Sequence, residues 1–164
     1  MADSVILLID GEVDRPARLS LADLAAVEFG SQVADVSRLD PKRHGRAVTL
    51  AGLLAHVGVR TVAQYLTLHS ATDDFHASIP LAAVRERGLL IYAFDGGPLP
   101  AKAGGPVRFV IPDYAACHTD EIDECANVKF VDHIELTAAR GRDNRPSDEQ
   151  EHSELHRRDG EGNP

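Results

Sequence analysis

From Val5 to Leu136 the chain never keeps one hydrophobic period for long: short β-rich runs alternate with short helical ones, each closed by a Gly, Pro or Asp-rich turn. No internal repeat organises the alternation, so the pattern predicts one mixed α/β domain. Val5 to Val13 reads as a strand interrupted at Asp10-Gly11. Ser20 caps a short helix with Leu21, Leu24 and Ala25 at helical spacing and Asp23 at the third position, where a carboxylate favours exposed N–H groups. Gln32 to Leu39 alternates and predicts a strand, followed by the turn-rich stretch from Asp40 to Gly45. Thr49 caps a helix over Leu50 to Val57, which Gly58 ends. Thr61 to His69 and Phe75 to Ile79 flank the polar turn Ala71-Thr72-Asp73-Asp74 and predict a hairpin. Pro80 suits the first turn of a helix through Arg87, closed by Gly88. Leu89 to Phe94 predicts a buried strand turning at Asp95-Gly96-Gly97-Pro98, with Val107 to Ile111 and Val128 to Leu136 as the last strands.

A chain of 164 residues with 43% hydrophobic residues supports one core. The last 25 or so residues contribute little to it, because from Arg140 onward the sequence is almost wholly charged, polar, Gly or Pro. The expected organisation is therefore a domain over 1–139 and a disordered polar tail over 140–164. A net charge of −9, with basic residues scattered along the chain, argues against a nucleic-acid partner. No apolar run approaches the roughly 20 residues a membrane helix needs. The start lacks the basic residues and cleavage site of a signal peptide, so a cytoplasmic protein is expected. The two cysteines, Cys117 and Cys125, make no disulfide framework.

Four segments, in order, resemble the oxidoreductase molybdopterin-binding domain of the sulfite oxidase family: Ile9-Asp10-Gly11-Glu12-Val13 with the Leu19 to Leu24 helix; Phe75 to Leu81 followed by Leu89 to Pro100; Gly104-Gly105-Pro106-Val107-Arg108; and Asn127-Val128-Lys129-Phe130-Val131. The resemblance implies a sulfite-oxidase-type α/β (α+β, mixed) fold with a β-rich core and short peripheral helices. It also implies a pocket for molybdopterin, a flat hydrogen-bonding pterin bearing a phosphate. Gly104 and Gly105 would allow close backbone approach, and Arg108 would fork to the phosphate. Lys129 would add a compact charge, with Lys102 as a further candidate. Asp73 or Asp74 would accept hydrogen bonds from the pterin amino groups.

The same resemblance exposes gaps. Family enzymes ligate molybdenum through a cysteine between the opening helix and the Thr49 helix. Here Gln32 to Leu39 holds none, and Ser37 is its nearest chemical relative, a poor substitute for a soft thiolate. Ala103 stands where sulfite oxidases have a histidine, and the upstream arginine, asparagine and histidine stretch of larger members lies outside this chain. A partner subunit completing the site is one reading, with two-electron redox or oxygen-atom transfer at the metal. A cofactor-free binding module on the same fold is another. A third is a transition-metal site built on Cys117, His118 and Cys125, although their spacing fits no closed zinc pattern and equally suits an acidic surface loop. His69 and His76, in or beside β-rich runs, read as hydrogen-bonded structural residues or as ligands approaching that loop.

Overall fold

The computed structural model describes residues 4–112, 122 and 127–145. In chain order the strands and helices are β1 (Val5–Gly11), β2 (Ala17–Ser20), α1 (Leu21–Ala25), β3 (Gln32–Val33), β4 (Arg46–Thr49), α2 (Leu50–Val57), β5 (Tyr65–Ser70), β6 (Phe75–Pro80), α3 (Leu81–Val84), β7 (Leu89–Phe94), β8 (Gly97–Pro98), β9 (Arg108–Val110) and β10 (His133–Thr137). They form two sheets. The first has the order β2-β1-β10-β5-β6, parallel only between β1 and β10. The second runs β3-β4-β7-β8, with β9 also paired to β7.

The helices start where the sequence predicts. Ser20 accepts from the Asp23 amide while the Asp23 carboxylate accepts from the Ser20 amide, a reciprocal capping box. Thr49 accepts from the Gly52 amide and starts α2, whose Leu50, Leu53, Leu54 and Val57 are all buried. That face meets Leu7, Ile9, Leu66, Leu68, Ile134 and Leu136 of the first sheet and Leu90 and Phe109 of the second in one apolar cluster. A smaller cluster of Val36, Ala47, Leu89, Ile91, Leu99 and Val110 covers the opposite side of the second sheet. β7 therefore contributes to apolar packing on both faces, which explains why it reads as an unbroken apolar run rather than an alternating one.

Four expectations shift. Only Gln32–Val33 of the predicted Gln32 to Leu39 strand pairs; Asp35 accepts from the Ser37 amide and starts a 3₁₀ turn over Val36–Arg38. A short side-chain acceptor has there outcompeted the strand. The final strand begins at His133 rather than Val128, because Phe130 adopts φ 56 and the amides of Phe130 and Val131 donate to Gly104 and Val107. Pro80 ends β6 and precedes a helix of only four residues. Finally, the ordered contacts pass Arg140. Asn144 exchanges backbone and side-chain bonds with His76, the Ser78 amide donates to Asp143, and the Asp143–Arg145 pair, 2.6 Å apart, is buried at 5% and 7% side-chain exposure. Residues 141–145 thus occupy the free edge of β6, an edge a sheet must cover or blunt.

Candidate functional site

The loop before β9 brings together the cations named from the sequence. A 3₁₀ turn over Ala101–Ala103 ends at Gly104, whose φ of 99 lies in the left-handed region that favours glycine. A Cβ at Gly104 would sit 3.0 Å from Arg108 Cδ and 3.3 Å from Lys129 Cγ, so the two cationic stems flank this glycine. A Cβ at Gly105 would run into the Leu99 carbonyl. The space beside both glycines is thus filled by the protein itself: they serve to pack the loop and to bring Arg108 and Lys129 side by side.

Arg108 is half-buried. One terminal N–H donates to the Ala103 carbonyl at 3.2 Å, while its Nε is buried with no hydrogen-bond partner. Burial, reinforced by the Arg43 charge and opposed by Asp40, pushes its pKa down to about 10. Arg43 also has a buried Nε without a hydrogen bond, lying 4.0 Å from the Asp40 carboxylate. Two guanidinium groups with unsatisfied donors, near enough for one charge to act on the other, leave capacity for an anionic acceptor. Lys129, across Gly104, and Lys102, on the 3₁₀ turn, are both exposed.

The stretch from Asp35 to Gly45 connects this cationic corner to a cleft. Asp40 and Arg43 face Arg108, whereas Asp35, Ser37 and His44 line an open cavity of about 610 Å³ together with Arg46, Tyr92 and Phe94. The Ser37 hydroxyl donates to Asp35 at 2.6 Å, which with the Ser37 amide holds the Asp35 carboxyl below its usual range. Arg46 Nε donates to the Tyr92 hydroxyl, Tyr92 donates to Gln32 Oε1, and the Gln32 amide reaches the Leu24 and Val27 carbonyls. This chain ties the end of α1 to β7 and stiffens the cleft wall.

Asp73 and Asp74 occupy the tip of the β5–β6 hairpin, in the other sheet. Asp74, at φ 48, lies 2.9 Å from His76 Nε2 and 3.5 Å from Arg142; the His76 hydrogen bond first, then the Arg142 charge, holds its carboxyl low. The stretch after Lys129 reaches the hairpin, where Asp132 accepts from the Ala71 amide and donates its own amide to the His69 carbonyl. The sequence-named set therefore divides into a cationic half around Gly104 and an acidic half on the hairpin tip, of which Asp74 is committed to His76. Cys117, His118 and Cys125 lie outside the described residues, and among the described residues no group of three or more His, Cys, Asp or Glu is arranged to hold a metal ion.

Arg43, Arg46, Tyr92, His133 and Glu135 were not singled out from the sequence. Arg43 sat in a segment legible only as a turn, and the others gain meaning through cross-strand register, which no local pattern specifies.

The comparisons with known proteins agree with this architecture. Residues 46–144 match the family described as "Oxidoreductase molybdopterin binding domain". The chain is 34% identical over 113 residues to "Uncharacterized oxidoreductase YuiH" of Bacillus subtilis (strain 168), covering 65% of this chain and 56% of that protein. The crystal structure of the sulfane dehydrogenase SoxCD from Paracoccus pantotrophus superposes with a TM-score of 0.59 at 19% identity, over 82% of this chain and 38% of the other, a likeness of fold. The chain thus spans little more than half the length of its curated relative. The matched span holds the Gly104 loop, Arg108 and Lys129, and the chain belongs to the oxidoreductase molybdopterin-binding domain family.

Proposed function

We propose that this chain binds a molybdopterin-type cofactor by its phosphate-bearing end, and that a partner chain completes the metal end. The observation that carries the reading is the buried, unpartnered Nε of Arg108, with the Arg43 charge near enough to depress its pKa and Lys129 across Gly104. Guanidinium groups with free donors suit a phosphate, which accepts several charge-assisted bonds at once. In this reading Arg108 forks to the phosphate, Lys129 screens it from the rim, and the backbone of Gly104 and Gly105 shapes the approach. Asp73, on the hairpin tip, is the acidic group open to a pterin amino group, because Asp74 already serves His76.

The metal end fits less well. Ser37, the residue nearest in chemistry to a thiolate ligand, spends its hydroxyl proton on Asp35. When bound, the cofactor would supply two-electron redox chemistry, and the residues of this chain would position it. No step at the metal follows from them alone. Molybdenum analysis and oxidised-pterin fluorescence on protein purified from its native host test the reading. The expected result is pterin that is lost in Arg108→Gln. Wild-type protein free of pterin would sink it and favour the cofactor-free module, the reading that the occupied Ser37 hydroxyl supports. A transition-metal site at Cys117, His118 and Cys125 is separable in the same preparations, since a Cys117→Ala, Cys125→Ala double variant would lose metal and keep pterin.

A further inference from the structure

The outer face of the first sheet carries a polar network that the cofactor reading does not use. On β10, Ile134 and Leu136 point into the core, so alternation sends His133 and Glu135 to the other face. His69 of β5 and His76 of β6 lie directly opposite each other in the ladder, with their Nδ1 atoms 2.7 Å apart. His69 Nε2 lies 3.0 Å from Glu135 Oε1, and His76 Nε2 lies 2.9 Å from Asp74 Oδ1. Both rings are largely shielded, at 15% and 9% side-chain exposure. His133 stacks on His69 with ring centroids 4.7 Å apart, and its Nε2 is 2.6 Å from Asp10 Oδ1.

Proton counting decides the state of this row. Three contacts, Glu135 to His69, His69 to His76 and His76 to Asp74, each need one hydrogen. Ionised carboxylates supply none, and two neutral imidazoles supply two. We infer that His69 and His76 share one additional proton as an imidazole–imidazolium pair, a pH-sensitive latch that holds the β5–β6 hairpin to residues 142–145.

Without that proton, either the two Nδ1 lone pairs face each other, or one ring changes tautomer and turns a lone pair toward its carboxylate. Both arrangements repel. The surroundings favour the charged pair: Asp10, Glu135 and Asp74 are the nearest anions, Arg142 lies beyond Asp74, and Asp132 holds the Ala71 amide at the hairpin tip. Along β6 Asp143 lies between Arg145 and Arg140, which leaves one positive charge against the pair, fewer than the carboxylates that favour it. A metal ion fits the spacing poorly, because two nitrogens on a tetrahedral ion with bonds of about 2.0–2.1 Å stand roughly 3.3 Å apart.

The latch acts through the residues it pins. The His76 amide donates to Asn144 Oδ1, its carbonyl accepts from the Asn144 amide, and Asn144 Nδ2 donates to the Asp74 carbonyl. One proton shared by the two rings adds stability while the pair holds it; that stability is lost as pH rises and the proton leaves, and it falls again at low pH, where the two imidazoles of the unfolded chain take two protons.

A double-mutant cycle with His69→Gln, His76→Gln and the double variant, unfolded by denaturant with EDTA present, reads the coupling directly. At about pH 6 the wild-type unfolding constant should be roughly tenfold smaller than additivity predicts, and at about pH 9 this excess should vanish. Equal coupling at both pH values overturns the inference. Imidazole ¹⁵N spectra of the wild type guard against variants that do not fold. They should show both Nε2 atoms protonated and one shared proton at the lower pH; two neutral rings there overturn it. So does one equivalent of zinc, added without chelator, that shifts both rings and releases a proton, because the occupant is then a metal ion. None of these outcomes depends on pterin content, so they are separable from the cofactor reading.

Discussion

Arg108 is where burial and charge conflict most openly. A cation whose pKa falls on folding binds its proton less well in the folded state. At neutral pH it therefore costs stability, and the cost is relieved only as pH rises past about 10, where the folded state sheds the proton first. Arg108→Met keeps the stem that packs on Gly104 and removes the charge. With screening taken into account for a half-exposed group, it should gain about 1 kcal/mol, a rise of roughly 2–4 °C in Tm by calorimetry. The same variant should lose any thermal shift that millimolar inorganic phosphate gives the wild type. A residue that stabilises when removed and binds an anion when present is the signature of a site held at some expense to the fold. A fall in Tm would show instead that the Ala103 hydrogen bond outweighs the buried charge.

Among the elements, the segment 141–145 differs most from its composition. Its polar residues lack any hydrophobic period, yet Asp143 and Arg145 are buried because they pair with each other and with the edge of β6. Asp143→Ala takes the carboxylate 2.6 Å from the buried Arg145 guanidinium and the acceptor of the Ser78 amide, and should cost about 3 kcal/mol in denaturant unfolding, whereas removing both partners should cost clearly less. Loss of the α2 cap by Thr49→Ala should cost only about 1 kcal/mol, since the buried face of α2 remains. The caps at Ser20 and Thr49, the β5–β6 hairpin and the central run of β7 were all legible beforehand, because each rests on contacts within a few residues. The strand expected over Gln32 to Leu39 was not, since Asp35 could divert the backbone locally. Nor was the edge role of 141–145, whose partner is some 65 residues away.

At the scale of the molecule, four carboxyls among the described residues, Asp23, Asp35, Asp74 and Asp143, sit below the ordinary value of 3.8. Their stabilising contribution is present above that value and is lost as pH falls through the lower folded-state values. Acid unfolding followed by far-UV circular dichroism should therefore begin below about pH 4. Asp143→Asn, which removes the buried member, should flatten the slope most. The mixed α/β domain follows from local signals, alternation, caps and turn residues, and the Gly-x-Pro-x-Arg stretch carries a family resemblance that the match over residues 46–144 bears out. Those signals were sufficient because side-chain period and turn chemistry act over a few residues at a time. Which polar groups meet was decided only in three dimensions. Register between β5, β6 and β10 aligned three histidines with their carboxylates, Gly104 set Arg108 beside Lys129, and the turn after Asp40 brought Arg43 to Arg108. Such meetings depend on strand order and the closure of long loops, which a one-dimensional pattern does not encode.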